Sequence, residues 1–177
     1  MAICTGRILA GVLFGMVLFG SLHAGAAGPP QSRLEPLKHN KTAFKEYMLN
    51  CGGCHRLDGA GIPRRGVPRF PDSIGFFTQI PAGREYLIRA PGSADSRLDN
   101  TELARVLNWI VATYSRPEQL PADFTPYTAA EIAAVRQNSY DDVAAVRREL
   151  EARLARKGFE VAEFLYGSNA DFRAAAD

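Results

Sequence analysis

Five consecutive residues constrain this chain more than any other feature: Cys51-Gly52-Gly53-Cys54-His55, two thiols three positions apart with an imidazole directly after the second. Residues at i and i+3 share one side of a helical turn, so both sulfurs can face one object while the histidine is held beside it. Few chemistries need that set. A thioredoxin-like redox pair belongs in a βαβ context, and no convincing alternating strand is present. A zinc site needs a fourth ligand, and three such closely spaced residues rarely surround one tetrahedral ion. A plain Cys51–Cys54 disulfide would leave the long loop that follows with nothing to wrap around. Covalent haem attachment uses all three residues: each thiol adds to one vinyl group as a thioether, and the imidazole sits under the iron as proximal ligand. The glycines between the thiols let the backbone pass close to a porphyrin edge.

The start of the chain points to export. Arg7 precedes the apolar run Ile8–Leu22, which ends in His23-Ala24-Gly25-Ala26. A short basic region, an apolar stretch and a small-x-small end make a cleavable signal peptide over residues 1–26, cut after Ala26. An uncleaved anchor is the alternative reading, although about 15 apolar residues fall short of a comfortable span. Cleavage removes Cys4 and leaves the two cysteines of the motif. No later segment is apolar enough for a polytopic membrane protein, and the cleaved chain would not be integral to the membrane. The composition, 46% hydrophobic and 23% charged, excludes collagen-like and wholly disordered chains.

Helical periodicity fills much of the remainder. Residues 27–36 carry three prolines and read as a tether. Phe44, Tyr47, Met48 and Cys51 form one face of a helix capped by Asn40 or Thr42 and running into the motif. Residues 58–81 are rich in Gly and Pro and read as a long wrapped loop, which in a small domain needs something to wrap around. A short helix is expected at 84–90, ended by Pro91-Gly92. A stronger one follows, capped by Asp99 or Asn100, with the stripe Leu103, Val106, Leu107, Ile110, Val111 and Tyr114. Past Pro121, Thr128 and Glu131 form a capping box for a helix to about Gln137. Asp141 or Asp142 opens another, with a stripe of Val143, Val146, Leu150 and Leu154 that packs onto the chain's own core or, as the alternative, docks a partner, the Arg147–Glu151 pair on the exposed side, and Gly158 as terminator.

On these residues the chain resembles the class I cytochrome c family over about residues 37–116. The shared layout is a helix running into Cys-x-x-Cys-His, a Gly/Pro loop, and a C-terminal helix crossing the first. The resemblance implies an all-α fold: a cytochrome c-like haem domain at 37–118, preceded by the tether and followed by a C-terminal helical extension at 119–177. It implies one covalent haem c, held by Cys51 and Cys54 with His55 on the iron. It also implies that the carbonyl of Pro68, with Pro63 and Pro71 as rivals, accepts a hydrogen bond from the His55 imidazole. Trp109 would pack at the helix crossing or against the haem edge, and counts with Tyr86 among the cofactor-binding residues.

One departure matters. Electron-carrying members of the family usually supply a distal methionine, yet no methionine and no histidine follows His55. Met1 and Met16 fall in the signal segment, and Met48 precedes the motif by one helical turn. Three options follow: an iron that is five-coordinate or holds water, a role for Tyr86 as ligand or as a buried aromatic at the haem edge, or a His39 that swings over.

Charge is unevenly placed. Residues 27–97 hold eleven basic and six acidic side chains, while 98–177 hold nine and thirteen. Arg56, Arg64, Arg65 and Arg69 cluster just after the motif. They suit haem propionates or a positive rim that steers a periplasmic redox partner, acidic at its docking site. Nucleic acid is not expected as a partner, because the patch is short and lacks interleaved aromatics. The expectation is therefore a periplasmic single-haem electron carrier rather than an enzyme, with no catalytic residue. A haem-based ligand-binding or sensing module, or a small haem enzyme with an open distal site, is the alternative.

Overall fold

The computed structural model describes residues 28–162 and residue 164. The expected signal segment lies outside these residues. Among them, nine α-helices and two 3-10 turns make up the regular structure, together with a single β-bridge. None of the helices is long and apolar enough to cross a membrane.

The chain opens with α1 (Gln31–Lys38) and α2 (Lys41–Asn50). Helix α1 corrects the tether expected at 27–36. Pro29 and Pro30 stay outside the helix, and Pro36 alone lies within it. A proline inside a helix costs about 3 kcal/mol, but Leu34 is fully buried, worth roughly 1.5–3 kcal/mol, and Leu37 packs beside the same core. Burial at one leucine thus offsets much of what the proline costs. Asn40 caps α2 by accepting from the Ala43 amide at 3.0 Å.

Between residues 58 and 81 the loop is more ordered than its composition suggests. It contains a 3-10 turn at Pro63–Arg65, the Ile62–Val67 bridge, and the short α4 (Ile74–Phe77). Helix α5 (Pro81–Arg89) begins at a proline whose missing N–H costs nothing in the first turn. It ends at Arg89, just before Pro91 as expected, and Pro91 then opens a further short helix, α6 (Pro91–Ala94).

Helix α7 (Asn100–Tyr114) forms the centre of the molecule. Asp99 and Glu102 make a reciprocal capping box, with bonds of 2.8 and 2.9 Å. Beyond the expected stripe, Ala104, Asn108, Trp109 and Ala112 are also buried. The helix is covered on more than one face because α1 and α2 pack on it from one side and α8 (Ala129–Val135) from another. Helix α9 (Val143–Ala155), capped by Asp142, then packs on α4 and α5.

Residues 119 onward therefore share one core with the preceding helices: Ile132, Leu150 and Leu154 join Leu34 and Leu107 in it. Polar bonds reinforce the join. Asn108 and Tyr127 exchange two bonds, with the Tyr127 amide donating to Oδ1 at 2.6 Å and Nδ2 donating to the Tyr127 carbonyl at 2.9 Å. The Arg84 guanidinium lies 3.9 Å from the Tyr127 ring and donates to both Glu131 oxygens, at 2.5 and 2.8 Å. Arg136 donates to the carbonyls of Ala94, Ser96 and Leu98, tying the segment before α7 to α8.

Candidate haem site

The motif lies where α2 passes into the one-turn helix α3 (Gly52–His55). The Cys51 amide continues the α2 ladder to the Tyr47 carbonyl, and the His55 amide bonds back to Cys51 at 2.9 Å. Both cysteines are free thiols. Cys54 is exposed and Cys51 half-buried. Burial, assisted by the neighbouring Cys54, pushes the Cys51 thiol up to about 11. A nucleophilic redox cysteine needs the opposite shift.

Three tyrosine and phenylalanine side chains fix the motif from outside. The Tyr47 hydroxyl donates to the Arg56 carbonyl, and the Tyr114 hydroxyl donates to the Leu57 carbonyl at 2.8 Å. Phe70 stacks on the His55 ring with centroids 4.1 Å apart.

The imidazole is oriented by Pro68, whose carbonyl lies 3.1 Å from Nδ1. That contact uses Nδ1 as donor and leaves Nε2 as the nitrogen able to ligate a metal. Burial lowers the His55 pKa against the opposing effect of the Pro68 bond, so the neutral, ligating form prevails. The carbonyl reaches this position because the loop doubles back tightly. Ile62 and Val67 exchange amide bonds of 2.9 and 3.2 Å. Gly61, at φ +64°, passes so close that a Cβ there would lie 2.5 Å from the Pro68 oxygen. Only glycine meets both demands.

Cys51, Cys54, His55 and Pro68 all line one cavity of about 340 Å³. Ile74, Phe77, Leu87, Leu107 and Ile110 supply apolar wall around it. Tyr86 also lines it, is buried, and stacks on Phe77 at 5.2 Å. Helix α5 brings Tyr86 in because Gly83 lets its first turn approach α4: a Cβ at Gly83 would meet the Phe77 carbonyl oxygen at 2.2 Å. The donor set fits a haem. Two thiols and an imidazole converge on an apolar slot, and two arginines, Arg69 and Arg147, stand on a wall that carries no acidic residue among those described.

Of the two places expected for Trp109, the helix crossing holds and the haem edge does not, since Trp109 is absent from the cavity wall. It packs at the α2–α7 crossing, 4.8 Å from Tyr47 and 5.7 Å from Phe44, and its indole N–H donates to the Lys38 carbonyl at 3.0 Å. His39 stays exposed, as the favoured reading of that residue has it, with its side chain 79% exposed and its Nε2 3.0 Å from Glu35, so the option of its swinging over falls away. Arg147, read as an exposed partner of Glu151, keeps that bond at 2.7 Å but is only 4% exposed. An i,i+4 spacing identifies the pair and not the side it faces; the Phe77 ring, 5.0 Å from the guanidinium, is what draws it inward.

All four loop arginines, Arg56, Arg64, Arg65 and Arg69, are exposed; of them Arg69 also lines the cavity and pairs with Asp72 at 3.4 Å. Leu49 and Leu57, which flank the motif in sequence, are also exposed. Among the described residues, no group of three or more His, Cys, Asp or Glu is arranged to hold a metal ion unaided.

The chain is similar to two proteins named cytochrome c-552 from Thermus thermophilus. Each is 30% identical over 112 residues, covering 51% of this chain and 82% of one relative and 72% of the other. No family model matches the chain, and no solved structure gives a significant match.

Proposed function

The chain belongs to the cytochrome c family, and from that premise we propose that it is an exported electron carrier with one haem c, attached through Cys51 and Cys54 and ligated by His55. The observation that carries the reading is the convergence of both thiols and the Pro68-oriented imidazole on one apolar cavity. Bound haem would supply an iron that accepts and returns one electron. The chain's own residues do the rest. Pro68 fixes the ring plane of His55 and strengthens it as a donor. With haem bound, the apolar part of the wall would keep water from the cofactor.

The docking surface follows from the same geometry. Cys54 is exposed, so the thioether edge of the cofactor would lie at the surface, with Leu49 and Leu57 flanking the motif. Arg56, Arg64 and Arg65 set positive charge in the adjoining loop. A periplasmic oxidoreductase with an acidic docking face suits that edge, and its encounter would slow as salt rises.

A specific observation supports a second reading, a haem module that binds a small ligand. The described cavity wall contains no methionine and no histidine besides His55. Visible spectra of the oxidised and reduced protein, with and without carbon monoxide, separate the two. The carrier predicts a low-spin reduced spectrum that carbon monoxide leaves unchanged; rapid binding supports the ligand-binding module instead. Tyr86→Phe in the same assay tests the side chain placed on the wall: an unchanged spectrum removes it as an iron ligand.

A further inference from the structure

Arg147 comes from α9, well outside the segment that carries the haem motif, yet it lines the same cavity. Its guanidinium is held rigidly. Nε donates to Glu151 at 2.7 Å, Nη2 reaches the Ser73 hydroxyl at 3.3 Å, and the group lies between the rings of Phe77 and Phe164, at 5.0 and 4.4 Å. A guanidinium offers five N–H donors. Among the described residues, no hydrogen bond engages Nη1.

The charge count points the same way. Glu151 is 29% exposed at its side chain, so solvent already attenuates its compensation of Arg147. The other cavity arginine, Arg69, has Asp72. No aspartate or glutamate lines the cavity among the described residues. A buried cation beside an apolar slot is stable when an anion joins it.

We propose that Arg147 is an anion-binding side chain of the cavity, taking an anionic oxygen or nitrogen group through its free donors. This rests on the haem reading above. The anion has two possible sources, a propionate carboxylate of the haem or a small anion entering at the iron, and the chemistry at Arg147 is the same for both.

The test uses the full exported chain and three variants: Arg147→Gln, Arg147→Lys and Glu151→Gln. Haem content per chain and far-UV circular dichroism are measured first, then midpoint potential against pH and azide affinity of the ferric form. Loss of a positive charge in Arg147→Gln should lower the potential. If the anion is a propionate, its carboxylate loses a cation, its pKa rises, and the potential becomes pH-dependent below neutrality with azide affinity unchanged. If the anion is exogenous, azide binding weakens about tenfold, the value of one charge-assisted bond. Arg147→Lys should recover most of either effect.

Glu151→Gln keeps the guanidinium and removes its carboxylate partner, so it should shift the same readout in the opposite direction, even if Arg147→Gln fails to fold. A haem-bearing Arg147→Gln protein with unchanged potential, pH dependence and azide affinity overturns this inference alone. So does a Glu151→Gln protein that moves none of them. A wild-type chain without haem overturns the cofactor reading and this inference together.

Discussion

On one side of the cavity, the residues that surround His55 come from a single stretch of chain: Cys51, Cys54, Pro68 and Phe70, with the Pro68 carbonyl only 13 positions from the imidazole it holds. On the other side, Phe77 comes from α4, Tyr86 from α5 and Arg147 from α9, and the Arg147–Ser73 contact joins residues 74 positions apart. The near wall is fixed by local backbone bonds and a glycine turn. The far wall exists only when separate helices have docked. The residues proposed to capture the cofactor and those that would set its surroundings thus come from different parts of the chain, and they can be broken separately.

Removing everything after Leu120 should break the far wall most severely. It takes away Ile132, Leu150 and Leu154, each buried at 3% exposure or less, and at roughly 1.5–3 kcal/mol per side chain the loss is on the order of 5 kcal/mol or more. That rivals the total stability of many small domains. Thermal melting of the truncated chain should fall sharply or show no cooperative transition, whereas a melting curve close to that of the full chain would mean that the C-terminal helices are dispensable.

Asn108→Leu makes a smaller cut at the same join. It strands the buried Tyr127 amide and carbonyl, and unsatisfied groups cost about 1–3 kcal/mol each. Urea unfolding should show a loss of about 2–6 kcal/mol while His55 and the thiols keep their places. Trp109→Phe should cost less, about 1–2 kcal/mol for the lost Lys38 bond and some packing. Because Trp109 is off the cavity wall, the visible spectrum should not change; a displaced absorption band would return it to the cofactor site.

The same division explains what could be read from sequence. The thiols and His55 were legible because their chemistry sits in adjacent residues, Pro68 because the family resemblance implied it, and α7 because Asp99 and its apolar stripe carry local signals; Phe70 was not foreseen. Helix α1 was hidden by its prolines, since only the burial of Leu34 against α7 decides that segment. Asn108 gave no sign of its role, because its partner is a backbone group 19 positions away. Arg147 had the right spacing for Glu151 and gave no hint of Phe77, Phe164 or Ser73, which no periodicity brings near. These misses concern contacts made by docking, which spacing along the chain does not encode.

Whether Cys51, Cys54 and His55 hold haem covalently, as proposed, is read from the intact mass of the purified protein after acid–acetone extraction. The account predicts one haem retained per wild-type chain and none in the Cys51→Ser/Cys54→Ser double variant. A wild-type chain whose haem is fully extracted, or which carries none in a host competent for haem attachment, would contradict it.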